Sequence, residues 1–339
     1  MIAGIDKNYV RSSKKKTLER LFCFFMEGIP VTRKGQWINP LVFFVYSRIL
    51  KKKKKISIFK DNPVYIIGTG RSGTTILSKI LSLHPQIAML NEPKAIWSLA
   101  NKNEDIIGSY NLSEKGRLIF DSNESRNNEN EIISAIYDWV LKKTKRKFIV
   151  DKYPELVFRV PWVKHIFKKS KFIFIVRNGY ETLNSIKKWS EMHVKLKDNT
   201  KHDWWGVNNR KWDAIRDEII LKDSRYAIFA ENINEIESNQ ILMAAVEWIS
   251  AMEYGLDLLK KYSNDIKVIH FDDLKKYNKN FIDSIIKFID ISDDRLLHNY
   301  SKYNLNYNEK EYSYSLPPYF EKYIDKINLN IEKFKYAKN

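Results

Sequence analysis

The residues with the clearest chemical use form a glycine-rich segment, Gly68-Thr-Gly-Arg-Ser-Gly-Thr-Thr75. An apolar run at residues 64–67 precedes it, and apolar residues recur at helical spacing over residues 75–83. This pattern predicts a strand, a tight turn and a helix. Such a turn directs several backbone N–H groups and the positive end of the helix dipole towards one point. The segment therefore predicts a phosphate-binding loop.

One position distinguishes this loop from the phosphate loop of nucleoside triphosphatases. Gly68, Gly73 and Thr75 keep the frame of that motif, but Thr74 stands where its lysine belongs. The missing lysine is the one that reaches the β- and γ-phosphates of a nucleoside triphosphate. Arg71 places a positive charge inside the loop instead. The loop is therefore suited to a nucleotide that carries a 5′-phosphate and a transferable group.

A second strand-to-helix junction carries an arginine and a serine. Residues 172–176 form an apolar run that is followed by Arg177, and Ser185 comes eight positions later. Ligands of parallel sheets bind at the carboxyl ends of the strands, where an arginine can bind a phosphate through two hydrogen bonds. Ser185, about two helical turns further on, adds a hydroxyl donor. The junction therefore predicts a second phosphate site.

Together these segments resemble the sulfotransferases that use PAPS (3′-phosphoadenosine-5′-phosphosulfate). The resemblance consists of residues 67–75 with His84-Pro85 and Asn91-Glu-Pro93 after them, and of residues 172–185, which are similar to the family's 3′-phosphate element. It extends more weakly over residues 62–290, through Asp151-Lys-Tyr-Pro154, Ala245-Val-Glu-Trp248 and His270-Phe-Asp-Asp-Leu274.

Two details locate the resemblance within that family. An arginine in place of the loop lysine is similar to the branch that includes tyrosylprotein sulfotransferases and many bacterial carbohydrate sulfotransferases. The cytosolic enzymes also carry a glycine-containing C-terminal loop at the 3′-phosphate, but no glycine follows Gly255 here. The resemblance therefore leaves open which residues close over the nucleotide, with the Tyr- and Lys-rich tail as one candidate.

The resemblance implies a role for each matched residue. The nucleotide is expected to bind through Gly70, Arg71, Ser72, Gly73, Thr74, Thr75, Arg177 and Ser185. Glu92 is expected to act as the base for the acceptor, with Lys152 and Arg71 at the negative charge that develops on the phosphate. PAPS is the expected donor and PAP its product, and the scheme requires no metal. An ordinary surface carboxylate and a strand-end lysine stay open as alternatives for Glu92 and Lys152.

A tryptophan-rich segment is the candidate acceptor site. Aromatic faces with interspersed cations suit sugars, and they recur at Trp204, Trp205, Arg210 and Trp212. Tryptophans in a loop also serve as local core, and that alternative stays open. The expected acceptor is a carbohydrate hydroxyl, on a glycolipid or a surface polysaccharide for example. A protein tyrosine or a small molecule remains an alternative.

Strand and helix patterns alternate from residue 61 onwards. Further strands are predicted at residues 148–150, 172–176 and 267–271, with helical patterns between them, for instance over residues 241–259. This alternation predicts an α/β protein: a three-layer P-loop-like fold with a central parallel sheet flanked by helices. Asp272 or Asp273 is expected to cap a helix N-terminus. Residues 61–339 are predicted to form the sulfotransferase domain.

Residues 1–60 form a segment of different composition. They contain 15 Lys and Arg against 3 Asp and Glu, within a chain of net charge +18. Charged residues interrupt the apolar residues of 21–50, so no transmembrane helix is predicted. Residues 41–55 join an apolar stretch to a lysine cluster, which fits a peripheral membrane helix or a packed helix followed by a solvated charge run. The expected location is cytoplasmic, with or without membrane contact.

Composition narrows the function classes. One cysteine and six scattered histidines, without HExxH or HxxxH spacing, predict no zinc site. Beyond residue 60 the charge is nearly balanced, 44 Lys and Arg against 38 Asp and Glu, so no nucleic-acid partner is predicted. Two rivals stay open: a P-loop kinase or NTPase with Asp151 as magnesium ligand, and a non-catalytic membrane- or polyanion-binding protein. The oligomeric state is not indicated.

Overall fold

The computed structural model describes residues 5–52, 62–124, 128–197, 199–276, 279–305 and 314–336. In this part of the chain the strands are β1 (Val64–Gly68), β2 (Ile87–Asn91), β3 (Phe148–Lys152), β4 (Lys171–Val176), β5 (Lys195–Lys197), β6 (Thr200–Asp203), β7 (Gly206–Val207) and β8 (Ile266–His270). Five of them form a parallel sheet in the order β2-β3-β1-β4-β8, and β5-β6-β7 form a small antiparallel sheet.

Helices cover both faces of the parallel sheet. The described α-helices are α1 (Lys7–Ser12), α2 (Lys14–Glu27), α3 (Asn39–Lys52), α4 (Thr74–Ser82), α5 (Lys94–Ala100), α6 (Glu129–Thr144), α7 (Val160–Ile166), α8 (Gly179–His193), α9 (Arg210–Ile215), α10 (Ala227–Glu231), α11 (Ile233–Glu237), α12 (Gln240–Lys261), α13 (Phe271–Lys275), α14 (Lys279–Ile289), α15 (Arg295–Asn304) and α16 (Pro318–Tyr336). Shorter 3₁₀ turns lie at Gln36–Ile38, Lys102–Glu104, Ser122–Glu124, Pro154–Arg159 and Ser224–Tyr226, and a π-helical turn at Arg216–Ile220.

The alternation of side chains along β1 divides the core into two layers. Tyr65 and Ile67 point into a cluster with residues of α5, α6, α8 and α12, whereas Val64 and Ile66 point into a cluster with residues of α4, α14 and α15. Every residue of β1 is buried, as expected for a strand covered on both faces. The prediction of a three-layer α/β fold is therefore confirmed.

The strand register brings the predicted chemical residues to one edge of the sheet. Asn91, the last residue of β2, pairs with Lys152, the last residue of β3, and Lys152 also pairs with Ile66 in β1. The carboxyl ends of β1, β2, β3 and β4 therefore lie side by side. Parallel strands bind their ligands at this edge.

The N-terminal segment packs against the edge strand of the sheet. In α2, the Lys16 ammonium donates to the Ile87 carbonyl at 2.8 Å, and the Arg20 guanidinium donates to the Met89 carbonyl at 3.2 Å. Glu27 at the end of α2 accepts a hydrogen bond of 2.7 Å from the Asn91 backbone. The boundary predicted near residue 60 lies outside the described residues, but the segment before it shares the core of the sheet.

Some elements differ from the sequence predictions. Strand β2 was not predicted, because its five residues follow the His84-Pro85 turn with no polar alternation to mark them. Neither Asp272 nor Asp273 caps a helix, since α13 already begins at Phe271, with His270 at the N-cap. Among the described helices, none is both long and apolar enough to cross a membrane.

Candidate active site

The glycine-rich loop connects β1 to α4 as a compact turn. Gly73 has φ 102°, which an L-residue rarely adopts, and a Cβ there would lie 2.1 Å from the Phe271 ring. Ser72 closes the turn through a hydrogen bond of 2.6 Å from its hydroxyl to the Thr69 carbonyl. Helix α4 begins at Thr74, so the N–H groups of Thr74 and Thr75 have no intrahelical acceptor, whereas Ile76 and Leu77 donate to the Gly73 carbonyl at 3.2 and 3.3 Å. The loop therefore has the backbone geometry on which the phosphate-binding prediction depends.

The two predicted phosphate motifs touch each other. Arg71 adopts φ 70°, and its guanidinium Nε donates a hydrogen bond of 3.1 Å to the Ser185 hydroxyl. Arg177 Nη1 donates to the Arg71 carbonyl at 2.8 Å. A non-glycine residue in the left-handed region is uncommon and frequently marks a functional loop. The fold therefore brings Arg71, Arg177 and Ser185 together although they come from two distant segments.

Arg177 is held by an acidic neighbour. Its Nε and Nη2 both donate to Glu181 Oε2, at 3.0 and 2.6 Å, and its guanidinium lies 4.4 Å from the centre of the Phe271 ring. Lys275 also pairs with Glu181, at 3.2 Å. An anion that binds Arg177 therefore competes with Glu181 and finds a second cation within reach.

A cavity of about 670 Å³ opens beside the loop. Of the predicted site residues, Gly70, Arg71, Thr74, Thr75, Glu92, Lys152 and Trp204 line it. Its wall also contains residues for which no role was predicted, in particular Arg33, Lys34, Asn91, Lys94, Glu155, Trp189, His193 and Lys211. The loop and the candidate base thus share one cavity.

Glu92 lines that cavity in a left-handed backbone conformation. It follows β2 with φ 53°, and its backbone N–H donates to the Lys152 carbonyl at 2.6 Å. Its carboxylate accepts a hydrogen bond from the Lys152 ammonium, which is 2% exposed, and lies 3.9 Å from the Lys94 ammonium. Burial alone raises the pKa of Glu92, but the charges of Lys152, Lys94 and Arg33 outweigh it and hold this pKa below its ordinary value.

Charges of alternating sign continue from Glu92 through three residues of the cavity wall to the buried Glu247. Lys94 pairs with Glu155 at 2.9 Å, and Glu155 lies 3.7 Å from Lys211. Lys211 pairs with Glu247 at 2.6 Å, with both side chains 3% exposed. Burial lowers the pKa of Lys94, but the carboxylates of Glu155 and Glu92 reverse this and raise it overall. The ladder holds each charge in a fixed place because every member has an opposite neighbour.

Asn91 precedes Glu92 and carries an unused side chain. It is 2% exposed, and neither its amide oxygen nor its amide nitrogen has a hydrogen-bond partner among the described residues. Leaving such a group unpaired in the interior costs about 1–3 kcal/mol. Because Asn91 lines the cavity, a ligand there can supply the missing partner.

The tryptophan segment divides between cavity and core. Trp204 is half-buried, and its indole edge lies where a Cβ on Gly70 would be, 2.4 Å away. Trp205 and Trp212 are 0% and 1% exposed and pack edge to face against each other. The prediction that they line an acceptor wall is therefore wrong, because their apolar faces are buried in the core.

Arg210 also differs from its predicted position. Its guanidinium donates to the Glu114 carbonyl, and it does not line the cavity. The aromatic wall is formed instead by Trp204 with Trp189, whose rings meet edge to face at 5.1 Å, and by His193, stacked on Trp189 at 4.6 Å. Trp189 and His193 lie four residues apart on α8, a spacing that is visible in the sequence and places both rings on one face of a helix.

Asp151 has a structural position. It is fully buried, and its Oδ2 accepts hydrogen bonds from Trp97 Nε1 at 2.9 Å and from the Tyr137 hydroxyl at 2.6 Å. Burial raises its pKa to about 7. It does not line the cavity, so it is not placed as a magnesium ligand would be. Among the described residues, one group of side chains lies close enough to share a metal ion, Asp283, Asp293 and His298, and it too is outside this cavity.

The described residues form a P-loop-like α/β fold with a glycine-containing strand–turn–helix loop after its first strand. Residues 63–226 match the model of the sulfotransferase family. Human protein-tyrosine sulfotransferase 1 is 26% identical over 143 residues, and its mouse counterpart is 25% identical over the same length. These matches cover 40% of this chain and 37% of each relative, so the chain spans well under half of their length.

A solved sulfotransferase domain from the curacin biosynthetic pathway is 14% identical and aligns with a TM-score of 0.47, over 79% of this chain and 97% of that chain. Over residues 63–226, just under half of its length, the chain therefore resembles the sulfotransferase family. The matched residues include the loop, Glu92, Lys152, Arg177 and Ser185, whereas the N-terminal segment and Glu247 lie outside them.

Proposed function

We propose that this chain is a sulfotransferase that uses PAPS as its donor and a hydroxyl group of a carbohydrate or glycoconjugate as its acceptor. The observation that carries the proposal is the convergence of Arg71, Ser185 and Arg177 beside the cavity that contains Glu92 and Lys152. Two clustered cation sites, one in a helix N-terminal loop and one at a neighbouring strand end, suit a nucleotide with separate 5′ and 3′ anionic groups.

The residues present fit such a donor. The loop offers backbone N–H groups at the start of α4, and the Thr69 hydroxyl in the same loop is buried without a partner among the described residues. Arg177 and Ser185 would hold the 3′-phosphate, with Arg177 exchanging Glu181 for the phosphate oxygens. Lys275, which already lies beside Glu181, remains to neutralise the released carboxylate.

PAPS supplies the transferable sulfuryl group and a phosphate leaving group. Glu92 accepts the proton of the acceptor hydroxyl while that oxygen forms its bond to sulfur, as a positioned carboxylate base can. Lys152 and Arg71 stabilise the negative charge that collects on the phosphate oxygen as the bond between that oxygen and sulfur breaks. Every charge that forms therefore has an opposite charge beside it.

The Lys152–Glu92 ion pair means that the donor binds before Glu92 becomes an effective base. While Lys152 pairs with Glu92, the carboxylate is a weak base because the cation stabilises its ionised form. A donor phosphate next to Lys152 gives the ammonium a second anion, so the hold on Glu92 weakens. Donor binding thus raises the proton affinity of Glu92 at the moment when a base is needed. The amide of Asn91 supplies a donor to a sulfuryl oxygen or to the acceptor hydroxyl.

The acceptor assignment is supported by the aromatic wall. Trp189, Trp204 and His193 present ring faces and edges to the cavity, and the Lys211 ammonium lies 4.6 Å from the centre of the Trp204 ring. Flat rings flanked by polar groups are well suited to the mixed apolar and hydroxyl surface of a sugar. The competing acceptor is a protein tyrosine, which the names of the human and mouse relatives favour.

Transfer from labelled donors tests the proposal. The purified chain is incubated with ³⁵S-labelled PAPS and separate panels of oligosaccharides, glycolipids and tyrosine-containing peptides, and in parallel with γ-³²P-labelled ATP. We expect sulfur label on a saccharide or glycolipid and no phosphorus label on any acceptor. Sulfur label on peptides alone would replace the acceptor class, and phosphorus transfer would support the kinase rival.

A further inference from the structure

One face of α3 and of the 3₁₀ turn before it exposes large apolar side chains. Trp37 is 81% exposed, Leu41 52% and Phe44 59%, and their spacing of four and three residues places them in one row. The opposite face of α3 anchors the helix, because Val42, Tyr46 and Ile49 are buried in the main core. Packing of the opposite face therefore holds these three side chains on the surface of the protein.

The same row continues into exposed cations. Arg48, Lys51 and Lys52 follow Phe44 by four, seven and eight residues, and all three are exposed. No carboxylate of the described residues forms an ion pair with any of them. The row therefore joins an apolar end to a basic end of uncompensated charge.

We propose that this row, Trp37, Leu41, Phe44, Arg48, Lys51 and Lys52, docks on the surface of a membrane that contains anionic lipids. Tryptophan partitions to the boundary between headgroups and acyl chains, and leucine and phenylalanine insert their side chains there. The cations match the negative potential of anionic headgroups. Lysines 53–55, which belong to the same predicted surface, lie outside the described residues.

A membrane fits this surface better than a folded partner protein does. A stable protein interface buries about 800 Å² on each side and has an apolar centre surrounded by a polar rim. This surface is a single row of three apolar side chains with all of its charge of one sign. Such a row suits a planar, fluid, anionic surface, into which side chains insert individually.

The docking row lies close to the candidate active site. Arg33 and Lys34 line the cavity, and Trp37 follows Lys34 by three residues, a chain distance of at most about 11 Å. A docked chain keeps this part of the cavity wall near the lipid surface. If the proposed function holds, on which this step rests, the acceptor is a hydroxyl presented at the membrane, such as the headgroup of a glycolipid.

Flotation of the full chain with vesicles tests the proposal. Vesicles of phosphatidylcholine, with or without phosphatidylglycerol, are compared for the unmodified chain and two triple variants, Trp37→Ser/Leu41→Ser/Phe44→Ser and Arg48→Gln/Lys51→Gln/Lys52→Gln. Matched controls are Leu221→Ser/Leu329→Ser and Lys142→Gln/Lys168→Gln/Lys169→Gln, which remove exposed residues of the same kinds elsewhere.

We expect binding that requires phosphatidylglycerol and weakens with salt. Removal of the three cations should reduce it by on the order of a hundredfold, at roughly fivefold per cation, and removal of the apolar row should abolish it. The controls should bind as the unmodified chain does. Absence of vesicle binding, or equal loss in the controls, would overturn the proposal.

Titration with PAP separates this proposal from the proposed function. All five proteins should bind PAP equally, because none of the changed residues belongs to the loop or to the second phosphate site. Vesicle binding without PAP binding would leave the docking surface in place and remove the proposed donor. PAP binding without vesicle binding would support the proposed donor and remove the docking surface.

Discussion

Arg71 and Ser185 are joined by a hydrogen bond of 3.1 Å, from the guanidinium Nε to the side-chain Oγ, although 114 positions separate them. The bond connects the loop after β1 to helix α8 after β4. It exists because β1 and β4 are paired neighbours, so both loops emerge at the same sheet edge. A nucleotide bound across this contact touches both segments at once, which makes the contact the structural basis of the proposed donor site.

The second phosphate site predicts a loss of affinity in two variants. Arg177→Ala and Ser185→Ala should weaken PAP binding, Arg177→Ala by roughly 10- to 100-fold, since a charge-assisted hydrogen bond contributes about 1.5–3 kcal/mol. Calorimetric titration with PAP measures this. Arg225→Ala is the matched control, because Arg225 is an exposed arginine that also pairs with carboxylates. Unchanged affinity in both site variants would remove the 3′-phosphate assignment.

The assignment of Glu92 as the base predicts that its substitution lowers kcat without changing the affinity for PAP. Glu92→Gln keeps the size of the side chain but cannot accept the proton, so kcat should fall by about 10²–10⁴-fold while the Kd for PAP changes little. Steady-state transfer assays and titrations of the same preparation give both values. Glu131→Gln, at an exposed glutamate, should behave as the unmodified chain does. An active Glu92→Gln enzyme contradicts the mechanism.

The Lys152–Glu92 pair predicts a shift in the pH profile. Glu92 must be ionised to act, and its pKa is held below the ordinary 4.5 mainly by Lys152, against the opposing effect of burial. In Lys152→Met the burial effect is no longer opposed by that cation, so the acid limb of kcat/KM should move to higher pH. The rate at the optimum should also fall, by on the order of 10²–10³-fold.

Measurement of kcat/KM from pH 4 upwards, with Lys142→Met as the exposed control, tests the shift. A lower rate with an unmoved acid limb would mean that Lys152 acts on the leaving group but does not set the protonation of Glu92.

The unpaired amide of Asn91 predicts opposite effects on stability and activity. Asn91→Leu removes a buried polar group that has no partner among the described residues, so the Tm should stay the same or rise. If the amide binds substrate in the transition state, kcat should fall by roughly 10-fold or more. Thermal denaturation and transfer assays measure the two effects. A large drop in Tm would assign Asn91 a structural role, and full activity would remove its amide from the mechanism.

The sequence predicted the parts of the site that are continuous in the chain. The loop at Gly68–Thr75 and the Arg177–Ser185 junction each combine a strand, a turn and a helix, so their chemistry is visible locally. Glu92 and Lys152 were expected from the family resemblance alone. Their direct pairing requires that β2 and β3 end in register, and β2 was not predicted.

The parts that come from distant segments could not be found from the sequence. Arg33 reaches the cavity because α2 packs along β2 through Lys16 and Arg20, and no local pattern indicates that packing. The separation of Trp204 from Trp205 depends on the direction of each ring: Trp205 packs against Trp212 of α9, and Trp204 lies against Gly70. Trp204 and Trp205 form the turn between β6 and β7, and no periodic pattern indicates which ring of a turn faces a cavity. The composition of the segment therefore indicated an aromatic wall without identifying the residues that form it.

The most direct test of the central claim is calorimetric titration of the purified chain with PAP, ATP and ADP, each with and without Mg²⁺. The account predicts tight PAP binding that does not depend on magnesium, together with weak ATP and ADP binding, since Thr74 replaces the lysine that reaches a γ-phosphate. Magnesium-dependent ATP binding without a preference for PAP would contradict it and favour a P-loop kinase or NTPase.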